Sequence, residues 1–371
     1  MKQMFDNIAD KVNRQERLTD ADAQFLFEYP NVHEIGILAN QVRERKHGNR
    51  ASFVFNRFLN YSNICILNCQ FCAFAKKKRN TDAFEYSVPE LVEAARKSVA
   101  EGITELHIVG GLHPSLPFSY YLEMLQELKK LTSSLHIKIF TAIEILHLAQ
   151  RVYKKSVSET LEKLREAGLD SLTGGGAEIL DQSIREQICK GKELPEEWLN
   201  VHRTWHQMGG RSTCTMLFGH IETHAHRVAH LRQLRQLQDE TKGFTALVPY
   251  AFEPEHTHLP HISRASALEE LRTLAISRLY LDNFDHITAY WISMGLPTAQ
   301  VALSYGADDL HGTIFEEKIF HMAGAKTPMM QATEDLENAI LETGREPFQR
   351  DSFYHPFSKQ TAVPSTCCTH L

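Results

Sequence analysis

SFVFNRFLNYSNICILNCQFCAF, residues 52–74, joins an apolar run to a loop with three cysteines. The aromatic and aliphatic residues of its first half predict a strand over residues 53–59. Its second half carries Cys65, Cys69 and Cys72 in the spacing C-x3-C-x2-C, with no fourth cysteine nearby. The segment therefore predicts a strand that runs directly into a cysteine loop.

Seven further apolar runs follow, separated by amphipathic segments. They are 104–109, 136–142, 170–172, 212–217, 245–250, 287–292 and a weak run at 307–310. Alternation of strands and helices is typical of a parallel sheet. Eight units predict an α/β fold, a (β/α)8 TIM-type barrel with its active site at the carboxyl ends of the strands. Because the fourth and eighth runs are weak, a six-stranded open barrel is the alternative.

Helix boundaries support this alternation. Ser87 and Glu90 have the spacing of a capping box, and Gly102 is a stop signal for the same helix. Ser156 and Glu159 repeat the box. We expect residues 1–50 to form an N-terminal helical extension, residues 51–355 the barrel, and residues 356–371 a C-terminal tail.

Composition excludes several classes of protein. The net charge of −6 and pI of about 6.4 disfavour a nucleic-acid partner. No apolar run approaches 18 residues, which predicts no membrane span. The charged N-terminus predicts no secretory signal, and the seven unevenly spaced cysteines do not form a disulfide framework. We therefore expect a cytoplasmic protein in a reducing environment.

Three thiols at a barrel mouth can hold few groups. A structural zinc site needs four ligands, so His107 or His113 would have to complete it. A [4Fe–4S] cluster has four irons, and three cysteines would leave one iron open to an exogenous ligand. Three incidental buried thiols are the remaining interpretation.

The cysteine spacing, with the aromatic residue Phe71 before the last cysteine, resembles the signature of the radical S-adenosylmethionine (SAM) superfamily. That resemblance implies a [4Fe–4S] cluster whose open iron binds the amino and carboxylate groups of SAM, with Phe71 near the adenine. It also implies a 5′-deoxyadenosyl radical and a low-potential electron donor such as flavodoxin or ferredoxin.

Later segments resemble the aminodeoxyfutalosine synthase family of menaquinone biosynthesis. The resemblance runs from about residue 15 to residue 354, in segments that include HIVGGLHPSLPFSYYLEMLQELK, KIFTAIEI, EAGLDSLTGGGAEIL, TMLFGHIET and AQVALSYGADDLHGTIFEEKIFHMAGA. It implies addition of the adenosyl group to 3-[(1-carboxyvinyl)oxy]benzoate, with rearrangement and decarboxylation to 6-amino-6-deoxyfutalosine. One departure is His256 in PEHT, where the family pattern has asparagine.

Residues near strand ends are candidates for binding SAM. Gly110 and Gly111 follow the second strand, where glycine lets backbone approach a neighbour closely; the resemblance places the SAM ammonium group there. Glu144 follows the third strand, and the resemblance implies that it accepts hydrogen bonds from the ribose. The segment GGGAE, residues 174–178, reads as a close-approach loop with Glu178 facing SAM or the barrel rim.

Two residues are candidates for catalysis. His220, after the fifth strand, is a candidate for shaping the substrate site or moving a proton. Arg57 in the first strand has a planar guanidinium that suits a substrate carboxylate; an ion pair at the barrel rim is the alternative.

Other functions stay open on the sequence alone. Cyclic dehypoxanthinylfutalosine synthase and the deazaflavin synthase subunits share the cysteine loop. An iron–sulfur electron-transfer protein is a candidate from another class, although it would not need glycine and acidic motifs after successive strands. A homodimer is compatible with the sequence.

Overall fold

The computed structural model describes residues 1–357 of the 371-residue chain. Most of the predicted tail, with Cys367 and Cys368, lies outside the described residues. Ten strands are present in the described range: β1 Arg50–Val54, β2 Asn56–Leu59, β3 Glu105–Ile108, β4 His136–Ile139, β5 Ser171–Leu172, β6 Arg211–Phe218, β7 Phe244–Ala251, β8 His286–Ile287, β9 Asp309–Gly312 and β10 Glu346–Arg350.

Fifteen α-helices are described over the same residues. They are α1 Lys2–Asn13, α2 Asp20–Glu28, α3 Val32–His47, α4 Val88–Glu101, α5 Phe118–Lys129, α6 Ala142–His147, α7 Val157–Ala167, α8 Gln182–Ile188, α9 Pro195–Gln207, α10 His224–Thr241, α11 Ala267–Tyr280, α12 Trp291–Met294, α13 Leu296–Ala302, α14 Ile319–Ala323 and α15 Thr333–Leu341. A π-helical segment, Leu148–Tyr153, continues α6. None of the helices in residues 1–357 is long and apolar enough to cross a membrane.

All strand pairs are parallel, and the strands enclose a barrel. β2 to β8 form one seven-stranded sheet in chain order, and β9, β1 and β10 form a second sheet. The first barrel strand is interrupted at Phe55, so β1 pairs with β9 while β2 pairs with β3. Backbone bonds from Phe58 N–H to Ile314 O (2.8 Å) and from Ala289 N–H to Asp309 O (2.8 Å) connect the two sheets. The prediction of eight strand positions is confirmed over the six-stranded alternative.

One predicted run is wrong in its extent. The apolar run 287–292 was expected to be a strand, but β8 ends at Ile287 and α12 begins at Trp291. The Trp291 indole donates to Gly312 O at 2.8 Å, which holds this segment as a helix against β9. Periodicity does not separate a short buried strand from a buried helical turn.

The predicted caps are present. The Ser87–Glu90 and Ser156–Glu159 boxes form at the starts of α4 and α7, and Gly102 ends α4 in the left-handed conformation. The first fifty residues are helical, as expected, and α2 and α3 pack on the outer barrel helices α10 and α11. The division of the chain into three parts at residues 50 and 355 stays a prediction.

A buried ion pair lies at the barrel floor, which is the end of the barrel opposite the cysteine loop. The Asp308 carboxylate pairs with Arg278, which is fully buried. It also bonds His286 Nδ1 at 2.6 Å and accepts from Ile287 N–H at 2.8 Å. Burial alone would raise the pKa of Asp308, but His286 and Arg278 more than offset it and hold the pKa well below its usual range.

We expect Asp308→Asn to lower the unfolding free energy by about 3 kcal/mol or more, because it leaves Arg278 buried without a counter-charge. Asp285→Asn is the matched control, since that side chain is 79% exposed. The folded-state pKa is depressed, so the contribution of Asp308 is complete at neutral pH, begins to be lost as pH falls below about 4, and is gone only below the folded-state pKa. Thermal unfolding of both variants between pH 7 and pH 3 checks this, and an Asp308→Asn deficit that does not shrink in acid would contradict it.

Candidate active site

A cavity of about 290 Å³ runs from the cysteine loop into the barrel interior. Its wall includes eight of the ten predicted site residues: Cys65, Cys69, Phe71, Cys72, Gly110, Gly111, Glu144 and Glu178. The carboxyl ends of parallel strands meet at one face, which explains why residues so distant in sequence converge.

The cysteine loop is fixed by its own backbone. Cys65 N–H donates to Lys76 O at 2.9 Å, and Ile66 N–H donates to Leu112 O at 3.0 Å. The Lys77 ammonium donates to the carbonyls of Cys65, Ile66 and Leu67 at 3.0, 3.1 and 2.8 Å. Three carbonyls on one lysine curl the chain so that the side chains of the cysteines face the cavity.

The spacing of the thiols argues against zinc. Tetrahedral zinc would gather its ligand atoms closely, at about 2.3 Å from the metal for sulfur. Within residues 1–357, the group of three metal-binding side chains whose ligand atoms lie within 4.8 Å of one another is His47, His286 and Asp308 at the barrel floor, not the cysteines. Wider spacing suits a cluster, in which each thiolate binds a different iron.

His113, a candidate fourth ligand, is engaged elsewhere. Its Nδ1 accepts from Ser115 and Leu116 N–H at 3.2 and 3.0 Å, and its Nε2 pairs with Glu85 at 2.6 Å. His107, the other candidate, lies within the barrel, stacked on Phe58 at 4.2 Å between ring centroids.

The two glycines are required by the cysteine loop itself. A Cβ on Gly111 would lie 2.4 Å from the backbone oxygen of Ile64 and 3.1 Å from Cβ of Cys65. A Cβ on Gly110 would overlap the Tyr61 ring at 2.4 Å. Any larger residue at Gly111 would displace the backbone that carries Cys65.

Glu144 braces the same turn. One carboxylate oxygen accepts from Tyr61 O–H at 2.7 Å and from Gly110 N–H at 3.0 Å. The other accepts from the backbone and hydroxyl of Thr141, both at 2.8 Å, in the capping box of α6. A carboxylate has about four acceptor positions, and here protein donors use all four. Burial raises the pKa of Glu144, against the effect of these hydrogen bonds.

Glu178 pairs with Lys192, a residue that sequence reasoning missed. Both side chains are nearly fully buried, and both line the cavity. The Lys192 ammonium also lies 5.5 Å from the centroid of the Phe71 ring, within cation–π range. Burial would lower the pKa of Lys192, but Glu178 and Glu193 more than offset it, so the pKa is raised and the side chain stays charged. The sequence around Lys192, CKGKEL, is polar and contains no motif that would predict a buried lysine in the site.

The two predicted catalytic residues do not line the cavity. Arg57 points outward, where it donates to Ser98 Oγ at 2.7 Å and pairs with Glu316 at 3.3 Å. The His220 side chain is buried in the turn after β6, where Nε2 donates to Leu217 O at 3.1 Å and Nδ1 accepts from Ile221 N–H at 2.8 Å, 3.1 Å from the Glu222 carboxylate. Burial lowers the pKa of His220. The structure thus separates both residues from the other eight, and their catalytic roles stay predictions that this geometry does not favour.

Polar residues deeper in the barrel were not singled out from sequence. Lys138 on β4 lines the cavity and pairs at 2.8 Å with Glu105. Arg350 on β10 lines it as well and pairs with Asp309 at 2.6 Å. A lysine within the apolar run HIKIF was an available signal, because lysine is rarely buried without a partner.

Comparison with known proteins agrees with this geometry. The sequence-family model of the radical SAM superfamily matches residues 59–234. The family model of the CofH/MqnC C-terminal region matches residues 241–363. The crystal structure of methylornithine synthase (PylB) has a TM-score of 0.73 at 20% identity, covering 92% of this chain and 97% of that one. At this identity the likeness establishes the fold alone.

Relatives in sequence are closer. Aminodeoxyfutalosine synthases of Thermus thermophilus and Streptomyces coelicolor are each 41% identical, over 94% and 93% of this chain and 94% and 92% of their own. A cyclic dehypoxanthine futalosine synthase of Streptomyces coelicolor is 36% identical over 94% of this chain and 87% of its own.

A parallel barrel with three cysteines in the loop after its first strand defines the radical SAM class of enzymes. Within that class, this chain belongs to the aminodeoxyfutalosine synthase family. Membership implies a [4Fe–4S] cluster and SAM, and the three spaced thiols at the cavity mouth fit such a cluster. The interpretation as a non-catalytic electron carrier is not favoured.

We expect Cys65→Ala, Cys69→Ala and Cys72→Ala each to lower bound iron strongly and abolish SAM cleavage, because the cluster loses one of only three protein ligands. Cys214→Ala is the matched control, since its thiol is buried in β6 and does not line the cavity. Iron analysis after anaerobic reconstitution checks this. Native iron in any of the three variants, or iron loss in the control, would refute the ligand assignment.

We expect Glu144→Leu to weaken SAM binding about tenfold to a hundredfold at native iron content, because Tyr61 and Gly110 lose a buried acceptor. Glu159→Leu, which breaks the equivalent capping box in α7 away from the cavity, should leave SAM affinity unchanged.

Binding of 2′-deoxy-SAM separates a brace from a ribose contact. Because the acceptor positions of Glu144 are occupied, the affinity ratio between SAM and this analogue should be the same in wild type and Glu144→Leu. A ratio that collapses in the variant would show a direct ribose contact.

Proposed function

We propose that this enzyme joins the adenosyl group of SAM to 3-[(1-carboxyvinyl)oxy]benzoate and releases 6-amino-6-deoxyfutalosine, an intermediate of menaquinone biosynthesis. The observation that carries the proposal is 41% identity to two aminodeoxyfutalosine synthases over nearly the whole chain. The continuous cavity supports it, because it connects the cysteine loop to a buried space for a second molecule.

Cys65, Cys69 and Cys72 are the proposed ligands of the [4Fe–4S] cluster. When bound, this cluster supplies the electron that cleaves the sulfonium of SAM. The protein contributes the positions of the three thiols, which Lys77 and the backbone bonds of the loop maintain.

Residues around the mouth are proposed to hold SAM. The turn at Gly110 and Gly111 lies next to Cys65, so it is suited to the amino-acid end of SAM, and Glu144 fixes that turn through Gly110 N–H. Phe71 offers a ring face to the adenine. The Glu178–Lys192 pair adds a carboxylate and an ammonium at the same wall, for the polar groups of the nucleoside or amino acid.

The proposed reaction conserves atoms and electrons. The bond between sulfur and C5′ of SAM breaks, methionine leaves, and C5′ bonds to the vinyl carbon of the substrate. The adduct rearranges by transfer to the aromatic ring, and one carboxyl group leaves as carbon dioxide or bicarbonate. The unpaired electron that remains after this loss balances the electron used for SAM cleavage, so the overall reaction is redox-neutral.

The barrel interior is suited to protect such a reaction. Phe58, Val248, Tyr250 and Tyr290 line the cavity, and these side chains exclude water and orient an aromatic ring. Burial raises the pKa of both tyrosines, so their hydroxyls stay protonated. A low-potential donor such as flavodoxin or ferredoxin would supply the first electron. The need for unpaired thiols suits a reducing cytoplasm, where we place the enzyme.

We expect carbon-13 from the adenosine part of SAM to appear in a product that contains both adenine and the benzoate ring. The reaction would contain reconstituted enzyme, a low-potential reductant and 3-[(1-carboxyvinyl)oxy]benzoate without oxygen, with mass spectrometry as the readout. Methionine should be released in step with product, and Cys69→Ala should form neither.

Recovery of all label as 5′-deoxyadenosine while the substrate is consumed would contradict the proposal, since it indicates hydrogen abstraction instead of addition. Dehypoxanthinylfutalosine, the substrate of the related cyclase, is the compound that would then be tested.

A further inference from the structure

The inner part of the cavity carries polar groups whose hydrogen bonds are unmade. Thr173 is 1% exposed, and its hydroxyl has no hydrogen-bond partner among residues 1–357. Nδ1 of His107 and Nδ1 of His311 are also buried, and neither has a hydrogen-bond partner in the part of the chain that the structure describes. All three residues line the cavity. A buried polar group without a partner costs free energy, so this wall is suited to a ligand that supplies the missing partners.

Lys138 is the centre of this group. It lies next to His107 in the register of β3 and β4, so both side chains enter the barrel at one level. Its side chain is 6% exposed, and its ammonium forms an ion pair with Glu105 at 2.8 Å. An ammonium has three donors, so an ion pair with one carboxylate leaves donors for a ligand.

The carboxylates that pair with the buried cations lie farther from the cavity than the cations do. Glu105 is fully buried and does not line the cavity, whereas Lys138 does. Asp309 and Arg350 repeat the arrangement, with the guanidinium facing the cavity and the carboxylate turned away. A molecule in the cavity therefore meets donors at this end, although the charges of each pair cancel.

The depth of Lys138 fits one end of the proposed substrate. Lys138 lies three residues before Thr141, which caps α6 beside Glu144, or about 10 Å along an extended chain. The vinyl group has to lie near the mouth to receive the adenosyl carbon. The opposite end of the molecule, across the aromatic ring, then points toward Lys138.

We propose that Lys138, with His107, His311 and Thr173, forms a subsite that binds the aryl carboxylate of the substrate, the carboxylate that stays in the product. This inference rests on the proposed function for the identity of the ligand. A carboxylate only accepts hydrogen bonds, which matches an ammonium and a hydroxyl, and each neutral imidazole contributes its one N–H.

The subsite is tested by binding to the oxidised, cluster-loaded enzyme with SAM, so that no turnover occurs. Three ligands are compared: 3-[(1-carboxyvinyl)oxy]benzoate, 2-phenoxyprop-2-enoate, which lacks the aryl carboxylate, and 3-(ethenyloxy)benzoate, which lacks the other. We expect wild type to lose about tenfold to a hundredfold in affinity when the aryl carboxylate is absent. In Lys138→Met that loss should shrink to nearly nothing, while the loss for 3-(ethenyloxy)benzoate stays as in wild type.

Lys129→Met is the matched control, because that lysine also pairs with a carboxylate, Asp170, but lies outside the cavity. It should behave as wild type. Thr173→Val removes a single hydroxyl with little change of shape, and should give a smaller loss confined to the ligands with an aryl carboxylate. If Lys138→Met fails to retain its cluster, Thr173→Val decides the matter.

Wild-type discrimination that persists in both Lys138→Met and Thr173→Val would overturn the proposal, because the aryl carboxylate would then bind elsewhere. If Lys138→Met instead removes the affinity difference between the full substrate and 3-(ethenyloxy)benzoate, the subsite binds the carboxylate of the enolpyruvyl group, which contradicts the proposal. Benzoate alone, followed by ligand-detected NMR, separates this inference from the proposed function. Benzoate binding that is lost in Lys138→Met would support the subsite even if the enzyme forms no aminodeoxyfutalosine. Benzoate binding that is unchanged in Lys138→Met would refute the subsite even if the enzyme forms that product.

Discussion

The close contact between the Ile64 carbonyl and Gly111 is the constraint on which the site depends. Only a residue without Cβ lets the turn after β3 lie against the cysteine loop. Glu144 reinforces that contact, since it holds Gly110 N–H and Tyr61 O–H at once. Two loops from neighbouring strands thereby become one rigid wall, so the thiols and the proposed SAM site are positioned together.

Burying polar groups in the barrel interior costs free energy, and a ligand that forms hydrogen bonds with them can offset this cost. Buried ion pairs such as Lys138–Glu105 are weak evidence for stability, because desolvation opposes their attraction. Apolar residues of similar size would pack the same space without orphaned groups. The polar groups near Lys138 that lack a hydrogen-bond partner within residues 1–357 are therefore better explained by ligand binding than by folding.

The sequence predicted those features that local rules control. Eight strand positions and the caps at Ser87 and Ser156 follow from periodicity and capping chemistry, and the cysteine spacing located the cavity mouth. It missed the helix at Trp291, because that apolar run is buried in either conformation. Arg57 and His220 were candidates by residue type and by position relative to a predicted strand, and neither observation fixes where a side chain points. The orientation of Arg57 depends on partners 41 or more residues away, and that of His220 depends on the local backbone. Lys192 depends on Glu178 across a loop, which no local pattern reveals.

The central claim is that three thiols at the barrel mouth leave one iron of the cluster for SAM. Electron–nuclear double resonance of the reduced enzyme with SAM labelled by nitrogen-15 in its amino group tests this most directly. The account predicts a nitrogen-15 coupling to the cluster spin. A normally assembled, reduced cluster without that coupling, in enzyme saturated with SAM, would contradict it.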